Sequence, residues 1–165
     1  MRRLFILAAC AALPACGLRP VYGGGASGEV AQLLTRIDVA PIEGQAGWLI
    51  RNRLVERLEA GGHGQAAYRL VVTLDDNLTS FGIRGDRAAT RERRTLRARY
   101  QLVAMSTGLV VVDASAGSDA GIDIVSSEYA TVAAEQNAIE NLTARVADQI
   151  VARLASYAAS RPGRE

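Results

Sequence analysis

Residues 66–83 and 90–108 carry an alternating pattern, and that period of two restricts the chain more than any other feature. In the first stretch Tyr68, Leu70, Val72 and Leu74 share one side, with Arg69, Val71, Thr73 and Asp75 on the other. In the second, Leu96, Ala98, Tyr100, Leu102 and Ala104 alternate with Arg97, Arg99, Gln101 and Val103. Successive side chains of an extended chain point to opposite faces, so each stretch is a half-buried strand. The connections are short: GIRGDRAAT between the two, then Thr107-Gly108 leading into a fourth strand within residues 109–125, whose glycines predict a ragged end. Strands joined by tight turns form an antiparallel meander.

A sheet with one apolar face needs a cover, and the flanking segments carry helical spacing. After RIDVAPI, which reads as a first strand ended by Pro41, residues 45–60 place Trp48, Arg51, Leu54, Val55 and Leu58 on one stripe, and Gly61-Gly62 stop the helix. Residues 131–160 form the longest periodic segment, with Ile139, Leu142, Val146, Ile150, Leu154 and Tyr157 at spacings of three and four. Glu128 to Thr131 lead into it, and Pro162 lies past its end. The expected fold is α+β: a two-layer sandwich of a four-stranded, mostly antiparallel sheet with two helices on one face.

The N-terminus reads differently. Arg2 and Arg3 precede an apolar block from Leu4 to Leu13, with Ala15 directly before Cys16. This is the charged, apolar and small-residue order of an export signal, and the block is half of the ~20 residues that span a bilayer. Cys16 is open to two readings: an ordinary thiol behind a conventional cut after Ala11, or an acylated N-terminus, because Leu13-Pro14-Ala15-Cys16 resembles the lipobox of bacterial lipoproteins. Cys10 lies in the apolar block, so the processed chain keeps one cysteine, which has no internal disulfide partner. Acylation removes an exposed thiol from an oxidising compartment and anchors the chain without a membrane-spanning helix. The expected organisation is a signal over 1–15, an anchored flexible tether over 16–34, one domain over 35–160 and a disordered tail over 161–165.

Charge narrows the function. The formal net charge of +2 falls to zero when the signal and its two arginines are removed. The chain has no lysine; all 19 cations are arginine, whose planar fork suits bidentate contact with carboxylate or phosphate. The only histidine, His63, sits in GGHG, a poor place to hold a catalytic base, and no second histidine completes a transition-metal site. Asp75-Asp76-Asn77 lacks the loop spacing and closing glutamate of an EF-hand and reads as a strand end or turn. Gly23, Gly25 and Gly28 fit G-x-G-x-x-G without the strand and helix that the dinucleotide fingerprint requires. The chain is therefore read as non-enzymatic, with no cofactor and no metal.

The dense feature is an arginine set: Arg84, Arg87, Arg91, Arg93, Arg94, Arg97 and Arg99, diluted only by Asp86 and Glu92. It reads either as a strand edge guarded against aggregation or as an anion-binding strip. Nucleic acid is not the expected partner, because an exported protein rarely meets it and only Tyr100 is placed for stacking.

Cys16-Gly17-Leu18-Arg19-Pro20-Val21-Tyr22-Gly23 resembles the C-G-[FL]-R-P-[LV]-Y-G start of mature LptE-family lipopolysaccharide-assembly lipoproteins. Residues 126–154 resemble that family's closing S-x-Y-A-x-x-x-A-[EQ]-x-[DN]-A segment and final helix. The resemblance implies a lipoprotein of the outer membrane that plugs the β-barrel LptD, assists its assembly and helps deliver lipopolysaccharide to the outer leaflet. Gly17, in place of an aspartate, suits that destination. Basic residues carry lipopolysaccharide contacts in the family, but no motif position aligns with an arginine here. The candidates Arg91, Arg93, Arg94, Arg97 and Arg99 come from charge pattern alone. The alternative is an envelope lipoprotein scaffolding another secretion or envelope-assembly machine.

Overall fold

The computed structural model describes residues 28–62, 64–83, 89–125 and 127–161. The signal, Cys16, Gly23 and Gly25, His63, residues 84–88 of the expected turn, and Pro162 lie outside these residues.

The elements run α1 (Glu29–Leu34), β1 (Ile37–Val39), α2 (Gly44–Leu58) with a 3-10 turn (Glu59–Gly61), β2 (Tyr68–Ile83), β3 (Ala89–Ala104), β4 (Val110–Asp123) and α3 (Glu128–Ala159). The strands lie in the order β1-β2-β3-β4. β2, β3 and β4 pair antiparallel, as the alternation requires, while β1 pairs parallel to β2 at Ile37–Tyr68, Asp38–Arg69 and Val39–Leu70. Parallel neighbours need a crossover, and α2 supplies it. The fold is thus the α+β arrangement expected, with one parallel pair at its edge.

The core lies between the sheet and the two long helices. Leu70, Leu96, Leu102, Ile50, Leu54, Ile139, Leu142, Ile150 and Leu154 are all fully buried there, beside Tyr100 and Val146. Each such leucine or isoleucine removed from water contributes roughly 1.5–3 kcal/mol before chain entropy is counted. The α3 stripe is the one its spacing predicts, apart from Tyr157 at the rim, which is only partly buried. Ser127 caps that helix by accepting a hydrogen bond from the Ala130 N–H. Burial of Tyr100 pushes its phenol above the usual tyrosine range, against the opposing pull of the nearby Arg153 charge.

Four local expectations are corrected. Residues 29–34, expected within the tether, form α1, whose Leu34 packs into the core. The α2 stripe is turned from the one expected. Ala46, Gly47, Ile50, Leu54 and Leu58 are buried, Trp48 is 63% exposed, and the half-buried Arg51 donates to the Val39 carbonyl. The cause is close packing at the start of the helix: a Cβ on Gly47 would lie 2.6 Å from the Ile42 carbonyl oxygen. The small residues define the contact side, and tryptophan is turned outward. Asp75-Asp76-Asn77 does not end a strand. β2 runs through it, because Asp76 has a cationic partner across the ladder. β4 continues to Asp123 despite its glycines, paired residue by residue with β3 from Val112 onward; the register shift lies at its other end, opposite Leu102 and Val103.

Candidate functional site

Because β3 alternates, its arginines divide between two surfaces. Arg91, Arg93, Arg97 and Arg99 lie on the sheet face away from the helices, while Arg94 lies on the helix side with Leu96 and Ala98. Four of the five candidates are brought together; Arg94 is separated from them by the thickness of the sheet.

On the open face most of these arginines meet an acid on a neighbouring strand, directly opposite or on the diagonal. Arg91 donates from Nε to Asp123 Oδ1 at 2.8 Å. Arg93 lies 4.0 Å from Asp119 and stacks over the Phe81 ring at 5.6 Å from its centroid. Arg99 grips Asp113 with both Nε and Nη2, at 3.3 and 3.1 Å, and Gln101 donates to the same carboxylate at 2.9 Å. Arg69 reaches Asp38 on β1 at 3.1 Å. The strand registers place Arg69, Arg91 and Arg97 directly opposite Asp38, Asp123 and Asp75, while Arg93 and Arg99 reach Asp119 and Asp113 diagonally, two residues along β4 from their register partners. The face is therefore a charge-balanced lattice. Its hydrogen bonds to aspartate hold the Arg91 and Arg99 guanidiniums above the usual arginine range, and those from Arg99 and then Gln101 hold Asp113 below the usual carboxylate range.

Arg97 differs from its neighbours. It has no ion pair among the described residues, although Asp75 is its register partner on β2. Its side chain lies over Gly117 on β4, where a Cβ would approach Arg97 Nη1 to 2.5 Å and Cδ to 2.7 Å. The glycine is the space into which that arginine lies flat. Gly117 also has its backbone N–H and carbonyl engaged by the Gln149 side chain of α3, at 3.1 and 3.2 Å. Since β4 is an edge strand, this amide supplies the two bonds that a neighbouring strand would make.

On the helix side, Arg94 and Asp76 form a two-point pair at 2.9 and 2.6 Å, their side chains 18% and 25% exposed. The hydrogen bond to Asp76 raises Arg94 against the cost of burial, with a smaller contribution from Glu135. Next to it, Ser80 donates to Glu92 Oε1 at 2.9 Å. Sequence reasoning missed this pairing, although the offset between positions 94 and 97 carried the signal: an odd difference puts two strand residues on opposite faces. It also missed the aspartates of β4, which are spread singly through DASAGSDAGID.

The described region is thus a two-layer α+β domain whose helix-covered face holds the core and whose open sheet face is polar and ion-paired. The chain belongs to the LptE lipopolysaccharide-assembly family, whose model matches residues 34–154. No curated protein matches it in sequence. Among solved structures it is similar to a Caulobacter crescentus protein described as a lipoprotein, with 25% identity, a TM-score of 0.68, and coverage of 81% of this chain and 100% of that one. Rare lipoprotein B of Shewanella oneidensis shares the fold at 13% identity and a TM-score of 0.51, over 73% of this chain and 92% of that one. A minor lipoprotein of Acinetobacter baumannii does so at 8% and 0.52, over 74% and 92%.

Proposed function

We propose that this protein is a non-enzymatic outer-membrane lipoprotein, acylated at Cys16, that plugs and assists assembly of an LptD-type β-barrel and helps deliver lipopolysaccharide to the outer leaflet. The observation that carries the reading is the family match over residues 34–154, nearly the whole described domain. The three structural neighbours are themselves called lipoproteins, in keeping with the lipobox-like Leu13-Pro14-Ala15-Cys16. The open face suits a barrel interior, which is polar: it presents side chains that hydrogen-bond in water or against a wall, and its balanced charge imposes no strong field on the lumen.

In this reading the glycolipid phosphates meet Arg91, Arg93, Arg97 and Arg99. A guanidinium fork binds phosphate as it binds carboxylate, so contact proceeds by exchange, the incoming anion replacing an aspartate partner. Arg94 serves the fold from the helix side. The experiment is affinity purification of the full lipidated chain from detergent-solubilised membranes, with identification of what accompanies it. A large outer-membrane β-barrel is the expected companion, and recovery without one refutes the plug. In parallel, alanine at Arg93 and Arg97 weakens lipopolysaccharide binding most at low salt. Binding that is unchanged at every salt concentration returns these residues to protection of the sheet.

A further inference from the structure

The β3–β4 turn is an unusual surface feature. Met105 and Val110 are each 49% exposed and Leu109 is 65% exposed, on a connection of only a few residues. The turn is fixed rather than loose: Ala104 N–H donates to the Leu109 carbonyl at 2.9 Å, Gly108 N–H to the Ala104 carbonyl at 2.8 Å, and Leu109 N–H to Thr107 Oγ1 at 3.3 Å. The fold thus holds three apolar side chains out into solvent at one end of the sheet.

That end is also where the N-terminal segment joins the domain. Met105 N–H donates to the Ala67 carbonyl at 2.9 Å, and Ala67 and Tyr68 both donate to the Arg36 carbonyl, at 2.9 and 3.1 Å. Two strand spacings, about 10 Å, therefore separate Arg36 from the turn. α1 adds about 9 Å of helix between Leu34 and Glu29, and with the steps from Arg36 to Leu34 and from Glu29 to Gly28 this puts Gly28 within roughly 30 Å of the turn. Twelve residues connect Cys16 to Gly28, a span of at most about 40 Å.

Beside the apolar tip stand groups suited to a lipid headgroup layer. Arg161 donates to the hydroxyls of Tyr68 and Tyr157, at 3.0 and 2.8 Å, and its guanidinium lies over the Tyr157 ring. Arg36 is exposed, and neither it nor Arg161 has a carboxylate partner among the described residues. Tyrosine and arginine flanking a small apolar patch match the layering of an anionic bilayer surface, with apolar groups at the acyl boundary and cations at the phosphates.

We propose that the β3–β4 turn, Met105 to Val110, docks the domain end-on against the leaflet that holds its acyl anchor, with Arg36 and Arg161 on anionic headgroups. The proposal rests on acylation of Cys16.

The test places a fluorophore on Leu109→Cys and, separately, on Thr79→Cys at the far end of the sheet. Both are made in the full lipidated chain, where Cys16 is capped. Each protein is reconstituted into vesicles of phosphatidylethanolamine and phosphatidylglycerol that contain a brominated phospholipid. With side chains seated about 5–10 Å into the headgroup boundary, the label at position 109 loses more than half its emission and that at position 79 keeps it. An unquenched label at position 109, on protein that floats with the vesicles, overturns docking and leaves the anchor standing. Protein that fails to float and has an unmodified Cys16 by mass spectrometry overturns both. Quenching absent in vesicles, but shielding of position 109 on addition of the purified barrel, overturns docking in favour of a protein contact.

Discussion

Replacing Arg94 with alanine should unfold the domain earlier than any other single arginine replacement in β3, because its guanidinium is the one committed to a largely buried carboxylate. Two bonds are lost, at 2.9 and 2.6 Å, and the Asp76 side chain, only 25% exposed, keeps its charge beside Glu135 without a cation. A fully buried pair broken in this way costs 3–5 kcal/mol and an exposed one under about 1; residual solvent at Asp76 and Arg94 puts this pair near 2–3 kcal/mol. For a domain of this size that lowers Tm by roughly 5–10 °C. Urea unfolding of wild type, Arg94→Ala, Asp76→Ala and the double variant forms a cycle in which the double loses less than the sum of the singles. Arg91→Ala and Arg99→Ala, on the solvent face, move the midpoint far less than Arg94→Ala does. Equal effects from Arg94 and Arg91, or additive singles, would refute the assignment of these arginines to different faces.

Gln149→Leu strips both bonds from Gly117 on the β4 edge, and should cost about 1–2 kcal/mol and speed amide exchange at Gly117, with the rest of the sheet unchanged. Asp113, held down by Arg99 and Gln101, titrates below the usual carboxylate value of about 3.9. Its contribution to stability is therefore complete above that value and is lost as pH falls through the lower folded pKa, and Arg99→Ala moves the NMR-detected midpoint back up. Leu142→Ala, in the fully buried stripe of α3, costs about 2–5 kcal/mol by urea unfolding. Trp48→Ala leaves stability nearly unchanged, and the native tryptophan is readily quenched by acrylamide, since its ring is exposed at the surface of α2.

What could be read in the sequence was what depends on period. Alternation in β2 and β3 set both faces of the central hairpin, and the spacing of Ile139, Leu142, Val146, Ile150 and Leu154 set the buried side of α3. Where size and not hydropathy decided the packing, the reading failed: Trp48 is the most apolar-looking residue of α2, yet Ala46 and Gly47 take the contact because only they allow the helix so near Ile42. The parallel placement of β1 was also hidden, because three residues carry no period and their direction is dictated by the α2 crossover. The candidate site was legible as a run of cations and illegible as a lattice. The partners of Arg91, Arg93 and Arg99 come from β4, 14 to 32 residues away, and pairing across strands leaves no mark in a one-dimensional pattern beyond isolated aspartates.

The lattice changes what an arginine strip can do. Five unpaired cations on one face would attract any polyanion strongly and hold it, which is a poor property for a component that passes an anionic lipid onward. With an aspartate near each arginine, opposite or diagonal, the long-range field of the face cancels, and on the proposed function binding is decided at contact by whether phosphate competes with the carboxylate already there. Competition is hardest at Arg99, whose fork is engaged at both nitrogens and whose Asp113 is further held by Gln101. It is easier at Arg93, 4.0 Å from Asp119, and easiest at Arg97, which no ion pair occupies among the described residues. On the proposed function, the side chain lying flat over Gly117 is accordingly the first to lift toward a glycolipid phosphate, and the stronger pairs on either side of it keep the sheet in place while it does.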